Sequence, residues 1–416
     1  MVVQIDLGVL EFELDEVNLS TFDAAFDEAV RAKKRQKFAE FWESLDVVMR
    51  EMLSCPDCGG EMEKMGRLPL KIGILSGEVL IRRRRLRCRE CGAERYPLDE
   101  RMGRVGKHTL PVLERALYLA TELSYEKASR ALKKLTGAAI SHGQIQRAAK
   151  AEGVLVRKDL NQASADLFEL GLDPGERVKR GAEDTVVIAI DGGNIPDRAT
   201  GADFEAKVGV IYGIKAQVSK NRTALLDRVG YASLENAWEF GKKLFCLARR
   251  QGVLSAGRVL AIGDGAAWIR NLIRDYFPSA IYLLDLYHLK CRVSETLVED
   301  EGLREEVVSA CRGGDPYRAL TLLGTYNPST PEQAEKLRKL SYYVKSNRQG
   351  ILNYARSDLF GSGAVEKAVD LLVSRRFKTR GMSWLKPGAA GMLALRLLRF
   401  NGEWEAYWQR RIGFAT

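Results

Sequence analysis

Four of the seven cysteines in this 416-residue chain have a spacing that suits metal binding. They form two Cys-x-x-Cys pairs, and the four residues are Cys55, Cys58, Cys88 and Cys91. A tetrahedral Zn²⁺ takes four such thiolates, two from each turn, and needs no further ligand when its role is structural. A dithiol redox site would instead place one pair on a thioredoxin-like βαβ unit, and the flanking residues do not have that pattern. We therefore predict a structural Zn²⁺ site in a zinc ribbon at residues 55–100, with two strands around a glycine turn between the two pairs.

Three carboxylates form a second set of candidates. Asp191 follows the apolar run TVVIAI and Asp264 follows VLAIG, so we predict that both acids end buried strands of an α/β sheet. Ligands bind at the carboxyl ends of strands in such sheets, and oxygen donors there suit Mg²⁺ or Mn²⁺. Glu366 is predicted in the first turn of a helix that continues into a basic segment. We interpret its basic residues as contacts to DNA phosphates, and they are Arg375, Arg376, Lys378 and Arg380.

Residues 105–152 have the order of a helix-turn-helix region. One predicted helix ends at Gly137, and Ser141 caps a second helix whose polar positions include Gln144 and Arg147. In DNA-binding modules of this kind the second helix enters the major groove, so we predict that Ser141, Gln144 and Arg147 contact DNA. A helical hairpin that only packs against the rest of the protein remains the alternative.

The overall charge agrees with a polyanionic partner but does not establish one. The formal net charge is +10, and the basic excess is concentrated in residues 101–150 and 341–416. No run of residues is apolar enough to span a membrane, and the first residues lack the basic start of a signal peptide. We expect a cytoplasmic, nucleoid-associated protein with no membrane partner.

The remaining pattern predicts how the elements are arranged. Residues 1–16 are expected to form an edge strand, 21–53 a helix or helix pair, and 152–182 a linker that contains a domain boundary. Strands and helices alternate from residue 183 to about 290, and the next sixty residues have only helical signals. The fold class predicted from these patterns is a multidomain α/β protein.

Several motifs occur in a fixed order: AIDGG at 189–193, AKVGVIYG at 206–213, GDGAAWI at 263–269, LDLYHLK at 284–290, GSGAVEK at 361–367 and RRFKTRGMSW at 375–384. In these motifs the chain resembles bacterial insertion-sequence transposases of the group related to Mutator-like elements. The resemblance covers residues 185–416, and 55–150 matches the zinc-ribbon and helix-turn-helix regions that such proteins often carry. It implies an RNase H-like core with a DDE triad, in which Asp191, Asp264 and Glu366 bind two Mg²⁺ or Mn²⁺ ions per active site.

The resemblance also implies a division of the chain. The expected parts are an N-terminal strand and helical region at 1–54, the zinc ribbon at 55–100, the helix-turn-helix region at 105–152, the first part of the core at 183–290, an all-helical insertion at 291–350 and the last part of the core at 351–416. The implied activity is metal-dependent cleavage of DNA at the ends of an insertion sequence, followed by strand transfer. The expected partners are the terminal repeats, target DNA and at least one further copy of the chain.

The sequence leaves two alternatives for Asp285 and two for His288. Related elements carry a Cys and a His three residues apart after the second acid, whereas here Asp285 precedes His288 by three residues. Asp285 is therefore either a fourth acid near the site or a replacement for Asp264, and His288 either orients a phosphate or is a core residue. The alternative functions are a non-catalytic, domesticated DNA-binding protein and a structure-selective nuclease on the same core.

Overall fold

The computed structural model describes residues 5–11, 13, 18–48, 54–213, 215–220, 222–357 and 363–413. The chain divides into two compact units, Met1–Ala149 with Glu405–Thr416, and Lys150–Trp404. Among the described helices, none has the length and apolar character needed to cross a lipid bilayer.

The first unit is built around a mixed sheet. Its elements are α1 (Leu19–Val48), β1 (Met62–Ile74), β2 (Gly77–Cys88), β3 (Glu94–Arg95), α2 (Pro97–Arg101), β4 (Arg104–Val105), β5 (His108–Thr109), α3 (Leu110–Ala120) and α4 (Tyr125–Thr136). The strand order is β3-β2-β1-β5-β4. β1 and β2 form the antiparallel hairpin that the sequence predicted, and Gly77 opens β2 with a φ of +116° that favours glycine.

The N-terminal predictions are met only in part. Residues 5–11 and 13 form no strand, and the rest of the predicted edge strand lies outside the described residues. The predicted helical region is one helix, α1, over its described residues. Phe38 and Trp42 of α1 pack on the buried Ile72 and Ile81 of the sheet, which explains the apolar repeat in the sequence.

The helix α5 (His142–Leu170) contains the division between the two units. It continues through the first half of the segment that was predicted to be a linker. Its close packing explains the difference, because a Cβ on Gly153 would lie only 2.4 Å from the Cα of Gly391. A helix that packs this closely on a neighbour is stabilised by tertiary contacts that local polarity does not reveal.

The second unit contains a five-stranded sheet. Its elements are β6 (Thr185–Pro196), β7 (Asp203–Tyr212), β8 (Lys215–Ser219), β9 (Arg222–Leu225), β10 (Val229–Ser233), α6 (Ala237–Arg250), β11 (Arg258–Gly263), α7 (Ala267–Tyr276), β12 (Ile281–Leu284), α8 (Leu286–Thr296), α9 (Glu301–Arg312), α10 (Pro316–Thr325), α11 (Pro331–Ser346), α12 (Arg348–Leu352), a 3₁₀ turn (Asn353–Arg356), α13 (Gly363–Val369), a π-helical turn (Asp370–Ser374), α14 (Arg375–Phe377) and α15 (Lys386–Phe400). The last helix, α16 (Trp404–Ile412), belongs to the first unit from Glu405 onward.

The strands of this sheet have the order β10-β7-β6-β11-β12, and β8 and β9 form a separate hairpin. β6, β11 and β12 are parallel, while β7 is antiparallel to both of its neighbours. The central strand β6 is buried from Val186 to Ile190, as its continuous apolar run predicted. The alternation of strands and helices predicted for this region is therefore confirmed.

The helices α8 to α12 form the helical block that the sequence predicted after the strands. Asp300, Asp315 and Thr330 cap three of these helices through their side-chain oxygens. Their apolar faces meet in one core that includes Leu289 and Val344. The chain is thus a multidomain protein of mixed α/β structure.

Candidate functional site

Three aspartates follow the same row of paired residues on three adjacent strands. Ile190 of β6 pairs with Gly263 of β11, and Gly263 pairs with Leu284 of β12. The next residue along each strand is Asp191, Asp264 or Asp285. Because neighbouring strands lie about 4.8 Å apart, this register brings the three acids to one edge of the sheet.

Asp191 does not end its strand, contrary to the prediction. β6 continues to Pro196 and beyond Ile190 pairs with β7 alone, since β11 ends at Gly263. Asp191 is 8% exposed, and its position beside the end of β11 leaves it next to the turn that carries Asp264. Asp191 therefore lies inside β6, at the point where its neighbour β11 ends.

His288 lies between two of the aspartates. Its Nε2 is 3.7 Å from Oδ2 of Asp191 and 3.6 Å from Oδ2 of Asp285. The side chain of Asp285 is nearly buried, and its Oδ1 accepts a hydrogen bond from the backbone N–H of Tyr287, so that Asp285 caps α8. His288 and Asp285 therefore both lie with Asp191 at this edge of the sheet, and together with Asp264 they form an acidic cluster.

Glu366 reaches the same cluster from α13. Ligand atoms of Asp285, His288 and Glu366 lie within 4.8 Å of one another. Close packing brings the helical segment to the sheet, because a Cβ on Gly193 would lie 3.1 Å from Val373 in the π-helical turn that follows α13. The glycine after Asp191 and Gly192 therefore lets the segment that carries Glu366 approach β6.

The electrostatics of the cluster follow from this crowding of carboxylates. The Asp191 carboxylate, helped by the charges of Asp285 and Asp264, raises the pKa of His288 to about 9 against the opposing effect of burial. Burial raises the pKa of Asp264, and the charge of Asp191 adds to it, although the backbone N–H of Ala266 donates a hydrogen bond to Asp264. In the absence of a bound cation, His288 therefore brings a positive charge into this cluster at neutral pH.

The donor set consists mainly of carboxylates. Asp191, Asp264 and Asp285 lie at one edge of the sheet, and carboxylate oxygens are ligands that hard divalent cations prefer. The ligand atoms that lie within 4.8 Å of one another belong to Asp285, His288 and Glu366. Asp285 therefore belongs to the site by its distance to Glu366, and Asp264 belongs to it by its position in the strand register.

The basic residues that follow Glu366 divide into two kinds. Arg375, Lys378 and Arg380 are exposed, and Arg375 also pairs with Asp370 at 3.0 Å. Arg376 is only 1% exposed and stacks on the ring of Trp384, so the prediction that it contacts DNA phosphates is wrong. A helix that follows a π-helical turn has its faces rotated, which the sequence pattern did not indicate.

The predicted DNA-contacting residues of the helix-turn-helix region also have different environments. Oε1 of Gln144 accepts hydrogen bonds from the backbone N–H and the hydroxyl of Ser141, while the Ser141 hydroxyl accepts one from the N–H of Gln144. This reciprocal cap fixes the start of α5 and occupies both side chains. Arg147 is exposed, and so is the neighbouring Gln146, which is not among the predicted DNA contacts.

The run of four arginines in β2 is largely occupied within the first unit. Arg83 pairs with Asp99, Arg84 with the fully buried Asp46, and Arg85 with Glu94. These ion pairs balance the charges of three of the four arginines within the unit.

The four cysteines form a cluster that fits structural zinc. The sulfur atoms of Cys55 and Cys91 are 3.7 Å apart, and those of Cys58 and Cys88 are 3.5 Å apart. A zinc–sulfur bond of about 2.3 Å gives tetrahedral sulfur–sulfur edges of about 3.8 Å, close to these distances. The backbone N–H of Cys91 lowers the pKa of Cys88 to about 7, which favours the thiolate form that a metal binds.

Two residues that support the site were missed from the sequence. The Tyr343 hydroxyl donates a 2.7 Å hydrogen bond to the backbone carbonyl of Asp264, and Asn347 packs beside the next residue of the same turn. Both lie about eighty residues after Asp264 in the helical block, and no local pattern marks them.

Comparison with known proteins gives a family without an assigned function. Residues 62–411 match the uncharacterised protein family UPF0236. The chain is also 25% identical over 357 residues to the "UPF0236 protein in vanSb 3′ region" of Streptococcus gallolyticus, which covers 83% of this chain and 76% of that protein. Since the family match spans most of the chain, the protein belongs to UPF0236.

Proposed function

We propose that this protein is a DDE-type transposase that cuts DNA at the ends of an insertion sequence and transfers the cut strand. The observation that carries the proposal is that Asp191, Asp264 and Asp285 lie at one edge of the sheet, where ligand atoms of Asp285, His288 and Glu366 are within 4.8 Å of one another. Carboxylates grouped in this way suit the binding of divalent cations for phosphoryl transfer.

The strand order supports an RNase H-like core for the second unit. Counted along the chain, the strands of the sheet have the order 3-2-1-4-5. Asp191 lies on the first strand and Asp264 follows the fourth, as the resemblance to transposases requires. Glu366 follows the helical block, which occupies the place of the expected all-helical insertion.

The side chains of the site divide the work of the reaction. Asp191, Asp264 and Glu366 would hold Mg²⁺ or Mn²⁺, which supplies charge to activate the attacking oxygen and to stabilise the leaving oxygen. His288 lies at the same edge, with its Nε2 3.7 Å from Oδ2 of Asp191 and 3.6 Å from Oδ2 of Asp285, and it would donate a hydrogen bond to a phosphate oxygen of the DNA strand. Asp285 orients His288 from its buried position at the start of α8.

Exposed cations provide the DNA contacts that the proposal needs. Arg147 on α5 is available to the element ends, and Arg375, Lys378 and Arg380 follow the catalytic helix. We assign the cluster of four cysteines to a zinc ribbon that supports this binding, and we propose that two or more copies act together, because two ends must be joined.

The test uses the full-length protein, a plasmid that carries the gene with its native flanks, and Mn²⁺ or Mg²⁺. We expect cleavage at the element ends and joining to a target by the wild type. Asp191→Asn, Asp264→Asn and Glu366→Gln should each reduce cleavage by roughly a thousandfold or more, on the order of the loss of a catalytic group. Asp203→Asn, at an exposed position in β7, serves as the matched control and should cut like the wild type.

The remaining outcomes identify other functions. Cleavage without joining would indicate a nuclease on the same fold. Binding to the element ends with no cleavage in either metal would indicate a DNA-binding protein that has lost catalysis. Cleavage by Asp264→Asn but not by Asp285→Asn would show that Asp285 takes the place of the second acid.

A further inference from the structure

The turn that carries Asp264 is short and depends on glycine. It consists of the residues between the end of β11 and the start of α7, and Gly265 within it has a φ of +85°. Residues that have a side chain rarely adopt this backbone conformation. Because Asp264 directly precedes Gly265, the direction of its carboxylate depends on the conformation of this turn. Within the turn, the Ala266 N–H donates a hydrogen bond of 2.8 Å to Oδ1 of Asp264.

The end of α11 holds the turn from outside. The Tyr343 hydroxyl donates a 2.7 Å hydrogen bond to the backbone carbonyl of Asp264. Asn347, only 2% exposed, packs so closely on Gly265 that a Cβ there would lie 2.7 Å from Nδ2 of Asn347. Tyr343 in α11 therefore holds the carbonyl of Asp264, and Asn347, which caps this helix, packs against Gly265.

Further hydrogen bonds connect these contacts to one another. The Asn347 side-chain N–H donates to the carbonyl of Tyr343 at 2.9 Å, and its Oδ1 accepts a 2.8 Å hydrogen bond from Arg270. Arg270 also donates to the carbonyl of Gly265. On the other side, the guanidinium of Arg292 lies 4.6 Å from the centre of the Tyr343 ring. Arg292 therefore contacts both the ring and the hydroxyl of Tyr343, to which it also donates a hydrogen bond.

We propose that Tyr343 is a positioning residue for the second acid, and that it acts through its hydroxyl on the backbone of Asp264. The helical block then does more than connect β12 to α13, because its helix α11 sets the direction in which Asp264 presents its carboxylate. The part of this inference that concerns metal binding rests on the proposed function, whereas the restraint on the turn does not.

The test compares Tyr343→Phe with a matched control, Tyr276→Phe. Phenylalanine keeps the ring and its stacking on Arg292, and it removes the hydroxyl with its hydrogen bonds to the carbonyl of Asp264 and to Arg292. Tyr276 is more buried than Tyr343, which is half-buried. The Tyr276 hydroxyl also donates to a backbone carbonyl, that of Trp238 at 3.1 Å, and its ring lies in an aromatic cluster with Phe168. The two substitutions therefore remove the same chemical group from two places in the same unit.

Two quantities are measured on the full-length proteins. Hydrogen exchange of peptides that cover residues 262–268, without metal, should become faster in Tyr343→Phe and stay unchanged in Tyr276→Phe. The dissociation constant for Mn²⁺, measured from the electron paramagnetic resonance of free Mn²⁺, should rise about tenfold in Tyr343→Phe only, as is typical when a group that orients a metal ligand is lost.

Each result has a defined meaning. Unchanged exchange and unchanged Mn²⁺ affinity in Tyr343→Phe would overturn the inference and leave the proposed function standing. If the wild type binds Mn²⁺ no better than Asp264→Asn does, the proposed metal site is wrong, and with it the claim that Tyr343 serves metal binding. Faster exchange together with weaker Mn²⁺ binding, in Tyr343→Phe alone, would establish the positioning residue.

Discussion

Substitution of Gly153 by alanine tests how the second unit is packed. Gly153 of α5 faces Gly391 of α15, and a Cβ on Gly153 would lie 2.4 Å from the Cα and 2.6 Å from the carbonyl oxygen of Gly391. Ordinary contacts of a Cβ begin at 3.4 Å. The two helices would have to separate by about 1 Å, because no side chain is present at Gly391 that could rotate away.

The magnitude follows from two opposing terms. Alanine gains about 1 kcal/mol of helix propensity over glycine, whereas forcing two packed backbones apart costs about 1–3 kcal/mol. We expect the upper end of that cost, since separation would also lengthen the 3.2 Å hydrogen bond from Arg157 to the carbonyl of Ala390. Gly153→Ala should therefore destabilise the second unit by about 2 kcal/mol.

Gly324→Ala is the matched control, because Gly324 is also helical and has no atom within 4 Å of its would-be Cβ. It gains the same propensity without the steric cost and should stabilise the unit by about 0.5–1 kcal/mol. The difference between the variants isolates the cost of the close helix crossing. The free energy of unfolding can be read from urea-dependent hydrogen exchange of the slowest amides in β6 and β11. Equal stability of the two variants would refute the packing argument.

Three further predictions concern the metal clusters. Cys88→Ser should lower the Zn²⁺ content of the purified protein and the melting temperature of the first unit, since a structural zinc ion contributes folding free energy, and a full Zn²⁺ content in the variant would contradict this. In the metal-free protein, Asp191→Asn should lower the midpoint of the His288 titration, followed by nuclear magnetic resonance, from about 9 towards 6.5. Since the pKa of His288 is higher in the folded than in the unfolded state, protonated His288 stabilises the folded protein below about pH 6.5, and this stability should be lost as the pH rises from about 6.5 through 9. An unchanged titration midpoint of His288 in Asp191→Asn would count against the ion pair. Asp264→Asn should raise the melting temperature in EDTA at pH 7, because the raised pKa of Asp264 means that its ionisation costs stability in the folded state, and it should fail to gain stability from added Mn²⁺. A melting temperature below that of the wild type in EDTA would be the contrary result.

The sequence by itself determined the parts that depend on short spacings. The spacing within each Cys-x-x-Cys pair brings two sulfur atoms to one turn, and the apolar residues between the pairs form the expected hairpin. The runs before Asp191 and Asp264 form buried parallel strands, because a strand with apolar side chains on both faces is stable where the sheet is covered on both sides. The helical block after β12 likewise follows from local patterns and capping residues.

The tertiary structure decided which side chains meet. The alignment of Ile190, Gly263 and Leu284 across three strands brings Asp285 and His288 to the other acids, and register between distant strands cannot be read from any one of them. Arg376 resembles its basic neighbours in the sequence, yet a π-helical turn rotates it into the core. Tyr343 acts on Asp264 across about eighty residues of chain, because a hydrogen bond depends on distance in space and is independent of separation in sequence.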